Sequence, residues 1–250
     1  MMAPTTTRRD GRKANQIRPL AAEQGILNRA DGSARFVQGN TSVLAAVYGP
    51  APAKSARSER ADGATVDVNF KPESGISTPA DAEREALLRR SLEEVVLRSR
   101  YPRAVVSVVI QVCVHHACVK KPWGAGGGVI VDDGAVLSAA LNAATMALIN
   151  AGVEMTGIAL SVTCCITSSI AGRFVLLDPC KSEEGEAAAT AAVATLSAGG
   201  GVLSCRANGL MSREEYFACC EAAAQGTTAV RSFVRLSAEQ KVNREAETLR

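Results

Sequence analysis

Nowhere in this chain of 250 residues do about 18 apolar residues run without interruption, and the N-terminus carries no apolar stretch of the kind a secretion signal requires. The first absence argues against a membrane-spanning helix and the second against export, so the expectation is a soluble intracellular protein with no membrane partner. Excess charge is scarce too, with a formal balance of only +3. A global field that gathers polyanions is thereby excluded, and affinity for them has to come from local clusters of arginine. Internal repeats of about 20–50 residues are missing as well. Disulfides are not expected, although there are eight cysteines. Cys164-Cys165 and Cys219-Cys220 are adjacent pairs inside apolar segments, where free cysteine in a reducing compartment behaves as a small core residue.

What the chain does have is material for a core: 47% of it is hydrophobic, which suits one large domain or two closely joined ones. Residues 1–17 hold Arg8, Arg9, Arg12 and Lys13, with Arg18 next and almost nothing apolar to dock, and read as a mobile, disordered basic tail. Turn signals at Asp31-Gly32, Gly39-Asn40 and Gly49-Pro50 bound two runs, Ser33–Gln38 and Thr41–Tyr48, that predict a hairpin. A polar loop over 51–64 leads to an alternating strand at Thr65–Phe70. Thr78-Pro79-Ala80-Asp81 then supplies an N-cap, a proline at the first helical position and a nearby carboxylate, and Leu88, Leu92, Val95 and Val96 follow at helical spacing. Ala104–Val112 is almost all β-branched and predicts a strand buried on both faces.

Asp133-Gly134 opens a second helix through Leu137, Ala140, Ala144 and Leu148. Strands are expected at Ile158–Thr167, Arg173–Leu177, Ala187–Leu196 and Gly201–Ala207. Ser212 and Glu215 form a capping box for a last helix, with Phe217, Cys220, Ala224 and Phe233 as its inward face, and residues 238–250 read as a charged extension. Strands followed by a helix, twice over, predict an α+β sandwich of mixed sheets with packed helices, a single domain over 18–237.

The stretch richest in chemistry is RFVLLDPCKSEEGE, from Arg173 to Glu186. An apolar strand stops at Asp178, and Glu183, Glu184 and Glu186 lie just beyond. Carboxylates gathered at a strand end can hold a hard divalent cation; a solvated acidic turn has the same composition.

Four blocks, DGSARFVQGNTSVLAAVYGP, YPRAVVSVVIQV, DDGAVLSAALNAATMALINAGV and VLLDP, occur in the order and spacing of the ribonuclease PH family, and the resemblance covers roughly Arg18 to Phe233. It implies a ribonuclease PH-like β-α sandwich related to the second domain of ribosomal protein S5. In active members it implies phosphorolytic 3′ to 5′ exoribonuclease chemistry, in which inorganic phosphate attacks the terminal phosphodiester. That reaction needs cations on the phosphate and carboxylates for a metal or a proton, because charge gathers on the phosphoryl oxygens. By the same resemblance Asp178 and Glu184 match the family's two carboxylates, whereas its phosphate-holding arginine in a Gly-Thr-Arg turn falls on Leu137 and a second one on Ala80. Loss of such a clamp costs on the order of 10³ in rate, so the expectation is an inactive homologue with no cofactor.

The similarity extends to the inert members of the six-protein ring of the eukaryotic exosome. It implies as partners other ribonuclease PH-like ring subunits, RNA-binding cap subunits and RNA, with a role in ring assembly and RNA guiding during rRNA processing and RNA turnover, in nucleus (nucleolus) and cytoplasm. A residual nuclease, phosphorolytic or Mg²⁺-dependent through Asp178 and Glu184, is the alternative. Arg89, Arg90, Arg98 and Arg103 are candidates for RNA phosphate contacts through their forks of donors, against ion pairs with Glu93 and Glu94.

Residues 113–131 depart from the family as an insertion. Cys113, His115, His116 and Cys118 are competent zinc ligands, but strand alternation puts His115 with Cys113 and His116 with Cys118 on opposite faces, so no metal is expected. An extended hairpin, or a docking loop anchored by Trp123, are the other readings.

Overall fold

The computed structural model describes residues 8, 10–53, 59–114, 134–169, 172–197 and 199–248. The expected hairpin is β2 (Gly32–Gln38) against β3 (Thr41–Pro52), closed where Gly39 takes a left-handed φ of 58° that glycine adopts without steric cost. Ahead of it β1 (Leu20–Gln24), too short to stand out in the sequence, adds antiparallel to β2. Next along the chain come β4 (Thr65–Lys71), α1 (Pro79–Val95) and β5 (Ala104–Val114). β5 runs antiparallel to β3 and parallel to β4, so the first sheet has the order β1-β2-β3-β5-β4.

The second half opens with α2 (Gly134–Ala151) and continues as β6 (Ala159–Ser169), β7 (Gly172–Leu177), the short α3 (Lys181–Glu186), β8 (Ala189–Leu196), β9 (Val202–Gly209) and the long α4 (Arg213–Thr248). Its sheet is antiparallel throughout, in the order β7-β6-β8-β9. α1 and α2 fill the space between the two sheets, α2 touching β2 and β3 on one side and β6 and β8 on the other, and α4 covers the outer face of the second sheet. This is the α+β sandwich of mixed sheets and packed helices that the sequence predicts.

α2 is the axis of the core. Every residue from Gly134 to Leu148 is buried, and its polar members are satisfied against β6: Asn142 Nδ2 donates to Ser161 O at 3.0 Å, Ser161 N donates back to Asn142 Oδ1 at 2.9 Å, and Thr145 Oγ1 donates to Ala159 O at 2.9 Å. Satisfied this way, the amide and hydroxyl avoid the cost of burial without a partner. The helix approaches β2 so closely that a Cβ on Gly32 would stand 2.4 Å from Ala147 O. Gly32, read as a turn signal, is instead a spacer that lets helix and strand touch.

Other expectations need correction. In β5 only alternate residues, Val106, Val108, Ile110 and Val112, are fully buried while Val105, Ser107 and Val109 are half-covered, because the helices occupy one face of this sheet. In α4 the inward stripe is Cys219, Ala223, Val230 and Val234; Phe217 is exposed, and Cys220 and Phe233 pack at the flank. The capping box itself is present, with Glu215 N donating to Ser212 Oγ and Ser212 N to Glu215 Oε2. The stretch read as a tail is not free over its described part: residue 8 and residues 10–18 are held at the end of β7 by arginine side chains and a backbone hydrogen bond. The insertion 113–131 lies outside the described residues beyond Val114, and Cys113 is exposed at the end of β5.

Candidate functional site

β7 ends by delivering Asp178 into a left-handed turn, φ 49°, a conformation that aspartate tolerates better than most residues. Its N–H donates to Thr163 O at 2.7 Å, and its carboxylate is wholly buried. Arg18 holds both oxygens. Its backbone N–H donates to Oδ2 at 2.7 Å, and Nε and Nη2 donate to Oδ1 at 3.0 and 2.7 Å. Burial alone would lower the Arg18 pKa; the Asp178 carboxylate outweighs that and raises it, with Glu184 adding to the effect.

Two further arginines close over the same strand end. Arg12 Nη1 donates to Asp178 O at 3.1 Å and lies 4.0 Å from Oδ2. Arg8 Nη2 donates to Leu177 O at 2.6 Å, and Arg8 Nε stands 3.7 Å from Glu183 Oε1. Leu177 N donates to Ala14 O at 2.9 Å, so the basic segment is laid along β7 as a strap. Sequence reading found the arginines and found Asp178, and missed that they are partners, because some 160 residues separate them.

Glu184 is buried on α3, a short helix that the sequence reading did not predict. The turn winds because Glu183 caps it, its Oε2 accepting from Cys180 N at 2.8 Å. A divalent cation at Asp178 would have to displace the Arg18 fork from an oxygen it already occupies, so the donor set does not fit a metal there. Among the described residues no group of three or more His, Cys, Asp or Glu side chains is placed to hold an ion.

The position at which the family resemblance puts the phosphate lies where α2 begins. A Cβ on Gly134 would meet Thr163 Cγ2 at 2.9 Å, and Ser138 Oγ is 2.8 Å from Thr163 Oγ1, so the helix start and Asp178 meet at Thr163. Leu137, the position on which the family resemblance puts a phosphate-holding arginine, is 3% exposed and belongs to the core. Ala80 sits in the first turn of α1 with only a methyl group to offer. The nearby Arg84 is tied to the cap of that helix, Nη1 donating to Asp81 Oδ1 at 2.6 Å. Asp81 Oδ2 in turn accepts from Thr78 N at 2.9 Å and Thr78 Oγ1 at 2.7 Å.

The four candidate RNA-binding arginines fall into two places. Arg89 and Arg90 lie on α1, where Arg89 Nη2 stands 3.3 Å from Asp67 and 3.3 Å from Glu85; neither partner is the Glu93 or Glu94 of the competing reading. Arg98 and Arg103 lie before β5, and Arg103 Nε is 3.6 Å from Glu59. Arg90 and Arg98 form no ion pair among the described residues. The thiols behave as core: Cys164, Cys165 and Cys219 are fully buried, and burial pushes the Cys165 and Cys219 pKa values up to about 12.

Comparison with known proteins places this arrangement. Domain 1 of the 3′ exoribonuclease family (RNase PH) matches residues 16–154, and domain 2 matches residues 159–226. The chain is 34% identical to the exosome complex exonuclease RRP46 homolog of Arabidopsis thaliana, over 93% of this chain and 96% of that one. The crystal structure of rice (Oryza sativa) Rrp46 superposes with a TM-score of 0.78 at 32% identity, covering 91% of this chain and 98% of the other. The archaeal exosome core shares the fold, with a TM-score of 0.69 at 20% identity over 91% of both chains. Rrp46 is also called exosome component 5, the subunit whose VYGP and DDGAVLSAALNAA blocks this sequence resembles. With both family domains matched in order and the carboxylates standing at the end of β7 and on α3, the chain belongs to the 3′ exoribonuclease, or RNase PH, family.

Proposed function

We propose that this chain is a non-catalytic subunit of an exosome ring, supporting assembly with other RNase PH-like subunits and guiding RNA toward 3′ to 5′ processing and degradation. The observation that carries the reading is the pairing of losses at one site: a buried leucine, Leu137, in the place of the phosphate-binding arginine, and an Asp178 carboxylate already neutralised by Arg18. A phosphorolytic centre must stabilise charge on the transferring phosphoryl group, and neither half of this site has a group free to do so in the required place. The relatives' names support assembly in an exosome; other ring chains, cap proteins and RNA as partners, and a nuclear, nucleolar and cytoplasmic location, belong to the same proposal. Arg90 and Arg98, exposed or half-exposed, are the cations best placed to touch RNA phosphates.

The test is an assay of the purified chain on end-labelled single-stranded RNA, with and without inorganic phosphate and with Mg²⁺ or Mn²⁺. No release of nucleoside diphosphates or monophosphates above a buffer blank is expected. Release that disappears in Asp178→Ala while that variant stays folded would overturn the non-catalytic reading and establish the residual nuclease instead.

A further inference from the structure

The second sheet ends in a corner built to present apolar surface. Leu210, between β9 and α4, is 85% exposed, and Phe217, in the second turn of α4, is 51% exposed. An exposed leucine on a loose loop would mean little, but here the backbone is held from several sides. Arg173 Nη2 donates to Leu210 O at 2.6 Å, and Arg173 Nε stands 3.1 Å from Glu215, whose carboxylate also caps α4 through Ser212. The residue before it, Gly209, has φ 95°, and a Cβ there would collide with Ala188 O at 2.5 Å, so the turn into the corner is fixed.

Beside it Arg213 lies over the Phe217 ring, Cζ to centroid 5.6 Å, with the Tyr216 ring 5.9 Å away on the other partner of the pair. Arg213 is exposed and has no acidic partner among the described residues. The corner adjoins β9, the last strand of its sheet, whose outer edge pairs with no other strand among the described residues. Apolar side chains on a held backbone, with an aromatic ring and an arginine stacked on it, are the composition of a docking anchor, because the backbone has little freedom left to lose on binding.

We infer that Leu210, Arg213 and Phe217 form the anchor by which this chain docks onto a neighbouring RNase PH-fold subunit of its ring, which supplies an apolar pocket for Leu210 and Phe217 and a carboxylate for Arg213. The inference rests on the ring-subunit reading above. Protein is favoured over RNA as the occupant because the most exposed group is aliphatic, and Arg213 already lies over one face of the phenyl ring on which a base would stack.

The experiment uses the full chain in its own cells. Phe217 is replaced by the photo-crosslinker p-benzoylphenylalanine, the assembled particle is irradiated, and the captured chain is identified by mass. Each RNase PH-domain chain that co-purifies is then paired with this one in isolation, and its affinity is compared for wild type, Leu210→Asp and Arg213→Glu. The expected result is a crosslink to one RNase PH-domain subunit, and a loss of about tenfold or more in affinity for that same subunit in both variants, with unfolding midpoints unchanged because both side chains are exposed. Recovery of no RNase PH-domain chain by the wild type would overturn the ring reading itself. Recovery of such chains with a crosslink only to RNA, to a second copy of this chain or to an unrelated protein, or with affinities unchanged, would overturn the anchor and leave the ring reading standing.

Discussion

The strap across Asp178 gives a sharp prediction for Arg18→Met. Methionine keeps most of the length and apolar stem of arginine but removes the fork, leaving a wholly buried carboxylate that has lost two of its three Arg18 hydrogen bonds. Breaking one side of a buried pair costs about 3–5 kcal/mol. The lower end applies here, because the Arg18 backbone N–H still reaches Oδ2 and Arg12 remains 4.0 Å away. For a chain of this size each kcal/mol moves the midpoint by about 2–4 °C, so the variant should melt roughly 6–12 °C below wild type. The assay is thermal unfolding followed by circular dichroism, with Asp178→Asn and the double variant completing the cycle. Asparagine tolerates the left-handed backbone at 178, so strain does not confuse the comparison. The double variant should be less destabilised than the sum of the singles by about 1 kcal/mol or more. A shift under about 2 °C for Arg18→Met, or strictly additive costs, would refute the claim that this pair fastens the N-terminal segment to the second sheet.

Gly32→Ala should cost about 1–3 kcal/mol by overpacking against the α2 backbone, whereas Gly185→Ala, where a Cβ meets nothing within 4 Å, should leave the midpoint unchanged or slightly higher; equal effects in the two would remove the spacer role assigned to Gly32. At the start of α1, burial pushes the Asp81 pKa up, but the Thr78 amide and hydroxyl and Arg84 outweigh it and set the pKa below its ordinary 3.8. A carboxylate depressed on folding adds stability that is complete above its unfolded pKa and is lost as pH falls through the folded one. The midpoint gap between wild type and Asp81→Asn should therefore be widest near neutral pH and narrow as the pH falls below the ordinary 3.8; a gap that does not narrow in acid would contradict this network.

Much of the fold was legible because its signals are local. Thr78-Pro79 and Ser212 with Glu215 mark helix starts by chemistry confined to a few residues, and the alternating and β-branched runs mark strands in the same way. Boundaries and faces were less legible. The inward stripe of α4 was misread onto Phe217 because alanine and cysteine on both sides of the helix leave the hydrophobic phase poorly defined. β1 and α3 were missed because each is short, and each is held by partners elsewhere: β1 by pairing with β2, α3 by a cap on Cys180.

The site divided along the same line. Sequence by itself gave the residue identities at the positions that the family resemblance points to, Asp178 and Glu184 with leucine at 137 and alanine at 80, since identity and spacing are properties of the chain alone. Tertiary structure decided what those residues are free to do. Asp178 is committed to Arg18, Arg12 and Arg8 lie over it, and Leu137 faces the core, because an ion pair spanning 160 residues and the burial of one helix between two sheets depend on how distant segments meet. The same distinction turned what read as a mobile basic tail into a strap that fastens the N-terminal segment to the second sheet.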